Sequence, residues 1–406
     1  MSDGVVSKVS VLRKALTGAQ AAAEVMRQVE PDVVAAYPIT PQTPIVQEFA
    51  QFVADGIVNT EMIQVESEHS ALSAVVGAAM SGARAMTATS SQGLALMWEI
   101  VAIASSMRLP IVMNIVNRAI SAPLNIHCDH SDAMAIRDLG WIMLFSENPQ
   151  EVYHNNIVAF KIGEHPDVFL PVAVNQDGFI TSHCVEAVDV FEDSFVKNFV
   201  GEYKAPYNIL DFDNPISAGE WAMPSHYFEF RVDMKKAMDR SVGVIEKVFE
   251  EFYKETGVKM DFFEAYKTED AEIVFVVMNS TAGTVRYVVD KLREKGKKVG
   301  VIKVRVYRPF VVEKFLELIS SAKFIAVMDR ALSIGTTGSP LYQDITSGLF
   351  ANKRNVLVND YIYGLGGRDF TDDDAYEMYK HAEYSLKEGI SGQIVYVGLN
   401  PNLLGR

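Results

Sequence analysis

Val33-Val34-Ala35-Ala36 runs into Tyr37-Pro38-Ile39-Thr40-Pro41-Gln42-Thr43, and Ile63-Gln64-Val65-Glu66 runs into Ser67-Glu68-His69-Ser70-Ala71. In both places a short apolar run gives way to a polar turn and then to a helical stretch, the repeating unit of a parallel α/β sheet. Outward from these two, residues 18–26, 44–53, 67–79 and 93–106 read as helices, and 85–89 and 110–116 as further strands. The pattern holds from about residue 14 to 185. Each polar motif falls where a strand ends, the edge at which open parallel sheets bind ligands.

Past residue 185 the regularity fails. Residues 186–231 carry the turn-like Asp211-Phe212-Asp213-Asn214-Pro215 and Trp221-Ala222-Met223-Pro224 with no sustained apolar period. Residues 232–256 are amphipathic, with Met234, Met238, Val242, Ile245, Val248 and Phe249 on one stripe and charges opposite. A second α/β unit follows, with strands expected at 272–278, 299–306, 324–328 and 355–358 and a helix over 281–295. The expected division is a first α/β domain at 1–185, a linking segment with the amphipathic helix at 186–268, and a second α/β domain at 269–406.

Composition narrows the function. With 49% apolar and 22% charged residues, disordered and fibrous classes are excluded. A formal net charge of -15 argues against nucleic-acid or anionic-membrane surfaces, which need clustered Lys and Arg. Met1-Ser2-Asp3-Gly4 offers neither the basic segment nor the apolar core of a signal peptide. No apolar run reaches the ~18 residues of a spanning helix, so a cytoplasmic protein is expected. Cys128 and Cys184 are the only cysteines, which excludes a disulfide framework and an iron–sulfur cluster needing about four thiolates. The eight His lack metal-site spacing, and no metal site is expected on this chain.

Glu68 is the sharpest candidate. Ser67 can cap the following helix, which sets Glu68 in its first turn beside unpaired N–H groups. A first-turn carboxylate often does no more than complement the helix dipole, but Ala71-Leu72-Ser73-Ala74-Val75-Val76-Gly77-Ala78-Ala79 is so poor in bulk that a ligand can approach closely. Arg118 leaves an apolar strand among neutral neighbours, and its planar fork suits a carboxylate. The alternative is a surface arginine. Thr40, held extended by Pro41, offers a hydroxyl. Thr89-Ser90-Ser91-Gln92-Gly93 is a strand-to-helix turn of a kind that binds ligands through backbone N–H groups, with Ser91 and Gln92 as cofactor-binding candidates, or else an ordinary cap. Asp129-His130-Ser131-Asp132 could orient Arg118; as a metal set its spacing is not diagnostic. The glycine loops at 333–338 and 364–369 match no nucleotide-binding pattern and read as structural turns.

Taken together, YPITPQT (37–43), VESEHSA (65–71), ATSSQGLALM (88–97), NRAISAPLN (117–125), DHSDAM (129–134), RDLGW (137–141) and YGLGGRDF (363–370) resemble the alpha subunits of pyruvate:ferredoxin oxidoreductase (pyruvate synthase), within the 2-oxoacid:ferredoxin oxidoreductase family. The likeness extends through DNPIS (213–217) and YRPF (307–310) over essentially the whole chain. It implies a pyrimidine-type thiamine diphosphate-binding domain followed by a transketolase C-terminal-like domain. It also implies oxidative decarboxylation of pyruvate with coenzyme A to acetyl-CoA, CO2 and reduced ferredoxin, in a reversible reaction. The site it implies is split. A beta subunit would hold magnesium, the diphosphate and an iron–sulfur cluster, beside a gamma subunit and a ferredoxin-like delta subunit, with ferredoxin as electron acceptor. This chain has no GDG followed by a distant Asn to hold magnesium, which fits that division.

Carried over by motif, Glu68 resembles the glutamate that shares a proton with the aminopyrimidine ring nitrogen. Arg118 resembles the arginine that grips the 2-oxoacid carboxylate, with the Thr40 hydroxyl beside it. The loop departs from the family pattern at His127-Cys128, where a bulkier aromatic or a polar pair is expected. Related chemistry on branched-chain 2-oxoacids, 2-oxoglutarate or oxalate, and a non-catalytic structural subunit, are the alternatives.

Overall fold

The structure, a computed structural model, describes residues 9–219 and 221–404; the Met1–Gly4 stretch discussed above lies outside the described residues. Seven strands form the first sheet, in the spatial order Val306–Arg308, Ile142–Ser146, Val172–Asp177, Val112–Asn117, Ala85–Thr89, Val33–Ala36 and Glu61–Gln64. All neighbours run parallel except Val306–Arg308, which is antiparallel to Ile142–Ser146. The central strands are buried at every position, so their apolar residues do not alternate with exposed ones; Ile142–Ser146 and Val172–Asp177 were not among the expected strands.

Helices cover both faces because their caps and small residues allow it. Thr17 and Gln20 form a reciprocal capping box at the start of Gly18–Val29, each side chain accepting the other's backbone N–H at 3.1 Å. The Ser67 hydroxyl accepts the Ser70 N–H at 3.2 Å and starts Glu68–Met80. Ala71, Leu72, Val75 and Ala79 form the buried stripe of that helix, small enough for it to lie close on the sheet.

The second sheet has the order Ile394–Tyr396, Leu357–Ile362, Phe324–Asp329, Ile273–Met278, Val299–Val304 and Phe263–Tyr266, parallel but for the last strand. Among the described residues no helix is long and apolar enough to cross a membrane.

Several local expectations change. The helix expected over 93–106 is two, Ser91–Leu96 and Trp98–Ser106, joined at Met97. Within 186–231 lie the strand Glu186–Phe191 and the helix Asp193–Val200. The strand pairs antiparallel with Val11–Leu16 in a separate ribbon, and its exposed face hid it from a search for apolar runs. The amphipathic helix starts at Pro224, a proline at its first helical position, ahead of the apolar stripe. The run 299–306 divides at Arg305: Val299–Val304 stays in the second sheet, while Val306–Arg308 crosses to edge the first.

Charge fixes that crossing. Lys303, buried in the second sheet, lies 2.9 Å from Glu147 and 2.7 Å from Glu264, and also pairs with Glu151 of the first domain. Arg305 meets Glu151 at 2.7 Å. Burial opposes ionisation of Glu151, but Arg305 and Lys303 outweigh it and hold the carboxyl at about 2. Its folded value is thus below the ordinary 4.5, so the stabilisation is complete at neutral pH and is lost as pH falls from about 4.5 to about 2. Replacing Lys303 by Met leaves buried carboxylates short of a counter-ion and is expected to cost about 3–5 kcal/mol. Urea unfolding should show a lower midpoint at neutral pH and a shallower loss of stability on acidification; an unchanged midpoint would mean the cluster contributes nothing net.

Candidate active site

Glu68 sits at the carboxyl-end edge of the first sheet, after the strand Glu61–Gln64. It is only 8% exposed, yet its carboxylate makes no hydrogen bond or ion pair among the described residues. The side chain lies across Gly93, where an added Cβ would stand 2.8 Å from Glu68 Cγ, 2.9 Å from Glu68 Oε1 and 2.5 Å from Thr89 Oγ1. In the same turn Thr89 Oγ1, Ser90 Oγ and Gln92 Nε2 are buried without partners. Each such atom costs about 1–3 kcal/mol when left unsatisfied. Their concentration beside an unpaired carboxylate is the arrangement a polar ligand would complete.

Arg118 follows the strand Val112–Asn117, which pairs with Ala85–Thr89, and is 7% exposed. Its Nη1 donates to the Thr40 carbonyl at 2.8 Å and its Nε to the Asn125 carbonyl at 3.0 Å. Nη2 has no partner among the described residues, and neither has the hydroxyl of the exposed Thr40. Burial lowers the pKa of the guanidinium from its ordinary value, with Asp132 opposing. An arginine so placed keeps its charge and presents one side of its fork outward.

Asp132 joins the two turns. Its Oδ2 accepts the backbone N–H groups of Ser91 and Arg118, both at 3.0 Å, and its Oδ1 accepts from Asn117 Nδ2 at 3.0 Å and Ala133 N at 2.7 Å. Burial pushes its carboxyl up to about 6 against those donors. Asp132 therefore orients the Arg118 backbone, not its guanidinium. Ser91, at φ +44°, donates its hydroxyl to the Ala119 carbonyl at 2.6 Å, so that group is committed inside the chain while Gln92 Nε2 stays free. Hydrogen bonds link Thr40, Arg118, Asp132, Ser91 and Gln92, while Glu68 makes none among the described residues and lies against Gly93, the residue after Gln92. The groove of about 510 Å³ beside Met80, Met107, Tyr207 and Phe230 lies at the far end of Glu68–Met80, about 18 Å from Glu68 at 1.5 Å per residue.

The Asp129-His130-Ser131-Asp132 cluster does not converge. Asp129 accepts from Ser131, while His130 turns away to Asp177, with Nε2 2.8 Å from Oδ1. Cys128, His130 and Asp177 do bring donor atoms within 4.8 Å of one another. However, Asn279 Nδ2 at 2.9 Å and Arg330 Nη1 at 3.1 Å reach the same carboxylate, filling with hydrogen bonds and a fixed cation the space a metal ion would take. Burial opposes the ionisation of Asp177, but Arg330 and His130 hold it well below the usual carboxylate range. Cys128 is accordingly a buried member of this network, 3.3 Å from Asp177 Oδ1. Sequence reading missed Asn117, Asn125, Asp177 and Arg330; a polar residue closing an apolar strand, as at Asn117 and Asp177, was the available signal.

The family model described as pyruvate flavodoxin/ferredoxin oxidoreductase, thiamine diphosphate-binding, matches residues 24–250. The model for the pyruvate:ferredoxin oxidoreductase core domain II matches 271–375. Among curated relatives, pyruvate synthase subunit PorA of Thermotoga maritima is 52% identical over 96% of this chain and 98% of its own length. The PorA subunit of Pyrococcus furiosus is 45% identical over 97% and 99%. Ketoisovalerate oxidoreductase subunit VorA of Pyrococcus horikoshii is 43% identical over 89% and 91%. A solved 2-oxoglutarate:ferredoxin oxidoreductase from Magnetococcus marinus superposes with TM-score 0.71 at 18% identity, covering 92% of this chain and 65% of that one, and shows the same fold. End-to-end identity with PorA subunits and the two successive domain matches place this chain in the pyruvate:ferredoxin oxidoreductase family.

Proposed function

We propose that this chain is the alpha subunit of a pyruvate synthase and contributes the pyrimidine-binding and substrate-gripping half of its active site. The observation that carries the reading is the buried Glu68 carboxylate, without a partner among the described residues, lying over Gly93 beside the unpartnered Thr89 hydroxyl in the turn that also holds the unpartnered Ser90 Oγ and Gln92 Nε2. That donor set fits an aminopyrimidine: an acid able to share a proton, an amide and two hydroxyls, with Gly93 leaving the room in which Glu68 lies. Thiamine diphosphate, when bound, supplies the nucleophilic carbon and electron sink for decarboxylating a 2-oxoacid. Glu68 then holds a proton shared with the ring nitrogen, and Gln92 Nε2 and the Thr89–Ser90 hydroxyls orient the ring. Ser91 keeps the turn in register through Asp132 and Ala119.

Arg118 is the fixed cation that meets the anionic substrate. With Nη1 and Nε held by backbone carbonyls, its Nη2 side and the Thr40 hydroxyl are left to receive the 2-oxoacid carboxylate. The remaining parts belong to partners. A beta subunit holds magnesium, the diphosphate and an iron–sulfur cluster, and gamma and ferredoxin-like delta subunits complete electron relay to ferredoxin, with coenzyme A as acyl acceptor. In this reading residues 1–185 are the cofactor domain, 186–268 the link and 269–406 a docking domain.

VorA subunits share 43% identity, so a branched-chain 2-oxoacid is the second reading of the substrate. A panel of 2-oxoacids with the reconstituted complex separates the two. Pyruvate should give the highest kcat/KM; a preference for 2-oxoisovalerate would replace pyruvate as substrate while leaving the chemistry in place.

A further inference from the structure

We propose that the second domain positions the substrate-gripping arginine, through a backbone clamp that Gly366 and Gly367 place on the loop between Ala119 and His130. The inference rests on the reading of Arg118 as the carboxylate-binding residue.

The Nε of Arg118 is anchored on the Asn125 carbonyl, so the position of Asn125 sets the tilt of the guanidinium. Asn125 is in turn held from the second domain, its Nδ2 donating to the Gly366 carbonyl at 2.9 Å. Gly367 N donates to the Cys128 carbonyl at 2.7 Å, and Gly366 N to Asp129 Oδ2 at 3.3 Å. Inside the loop the Asn125 side chain accepts the His127 N–H at 2.7 Å, and Ala119 N donates to the His127 carbonyl at 3.0 Å. The segment that begins next to Arg118 is thereby held at Ala119, at Asn125 and from His127 to Asp129.

The two glycines are needed for the approach. A Cβ at 366 would stand 2.4 Å from Asn125 Nδ2, and one at 367 would stand 2.2 Å from His127 Cβ. Their φ angles, +61° and +78°, lie in the left-handed region that glycine adopts without strain. Arg330 secures the base of the clamp: its Nε donates to the Gly364 carbonyl at 3.2 Å, its Nη1 reaches Asp177 at 3.1 Å, and its own carbonyl accepts the His130 N–H at 2.8 Å. The glycine loop, which looked like a structural turn, is thus a positioning element one residue removed from the substrate cation.

Simple interdomain packing would account for the same contacts but would affect stability alone, so kinetics must discriminate. In the assembled enzyme, Asn125→Ala removes the bond to Gly366, together with the acceptor of the His127 N–H, without adding bulk, and Gly366→Ala pushes on the same side chain. Each should raise KM for pyruvate by about three- to tenfold, as expected for the loss of one neutral hydrogen bond that positions the Asn125 carbonyl under Arg118 Nε. Exchange of the cofactor's C2 proton, which depends on the Glu68 turn, should stay within about twofold of the parent. The double variant should be no worse than the poorer single, because both act through one contact. If Gly366→Ala does not assemble, Asn125→Ala decides. An unchanged KM in that variant, or a parallel loss of C2 exchange and kcat, overturns the clamp. If Arg118→Leu raises KM while these variants do not, the clamp alone falls. If Arg118→Leu also leaves KM unchanged, the substrate-site reading falls and the clamp with it.

Discussion

In the assembled enzyme, Glu68→Gln is expected to abolish exchange of the cofactor's C2 proton while leaving the complex intact. Glutamine has the same length and shape, so the Ser67 cap, the first turn and the packing over Gly93 are retained. What disappears is the group that can hold and return a proton at the ring nitrogen. Positioned acid–base groups contribute about 10²–10⁴-fold in rate. The loss should therefore bring turnover close to the detection limit of most assays. Stability should move little, since a first-turn charge contributes about 0.3–1 kcal/mol and its removal also relieves an unpaired buried carboxylate. Quenched-flow exchange into D2O, read by NMR of the extracted cofactor, gives the answer directly. Parent-like exchange would remove Glu68 from its role.

Arg118→Leu should fail differently. Hydrogen bonds to charged groups contribute about 1.5–3 kcal/mol, so KM for pyruvate should rise by about 10- to 150-fold. C2 exchange should survive, because the Glu68 turn does not depend on the guanidinium. Leucine also strands the Thr40 and Asn125 carbonyls that Nη1 and Nε now satisfy. Arg118→Lys separates the two effects: it keeps the charge but lacks the planar fork that reaches both carbonyls. Lysine should therefore fall between the parent and leucine in KM. Equal KM in all three proteins would place the substrate carboxylate elsewhere.

The parts of this protein that could be read from sequence are those governed by local pattern. Val112–Asn117 and Ala85–Thr89 were legible because a strand covered on both faces is rich in apolar residues and lacks the alternation of a half-exposed one. Ser67 announced its helix because a hydroxyl cap sits next to the residues it serves. Glu68, Thr40 and Arg118 stood out because each comes shortly after an apolar run, and the structure places all three past the carboxyl ends of strands of the first sheet. The Glu186–Phe191 strand was missed because its partner, Val11–Leu16, is distant in sequence and one face is exposed. Likewise, nothing local to Asp177 tells that its partners include His130, 47 residues away, and Arg330, 153 residues away. The division of 299–306 between two sheets follows from ion pairs of Lys303 and Arg305 with Glu147 and Glu151, which periodicity does not encode.

The central claim is that this chain carries one half of a divided active site. Pyruvate-dependent reduction of ferredoxin, measured with the purified chain alone and again after addition of the partner subunits, tests it most directly. The expected result is no reduction by the chain alone and full, coenzyme A-dependent reduction once the partners are present. Turnover by the isolated chain would contradict it.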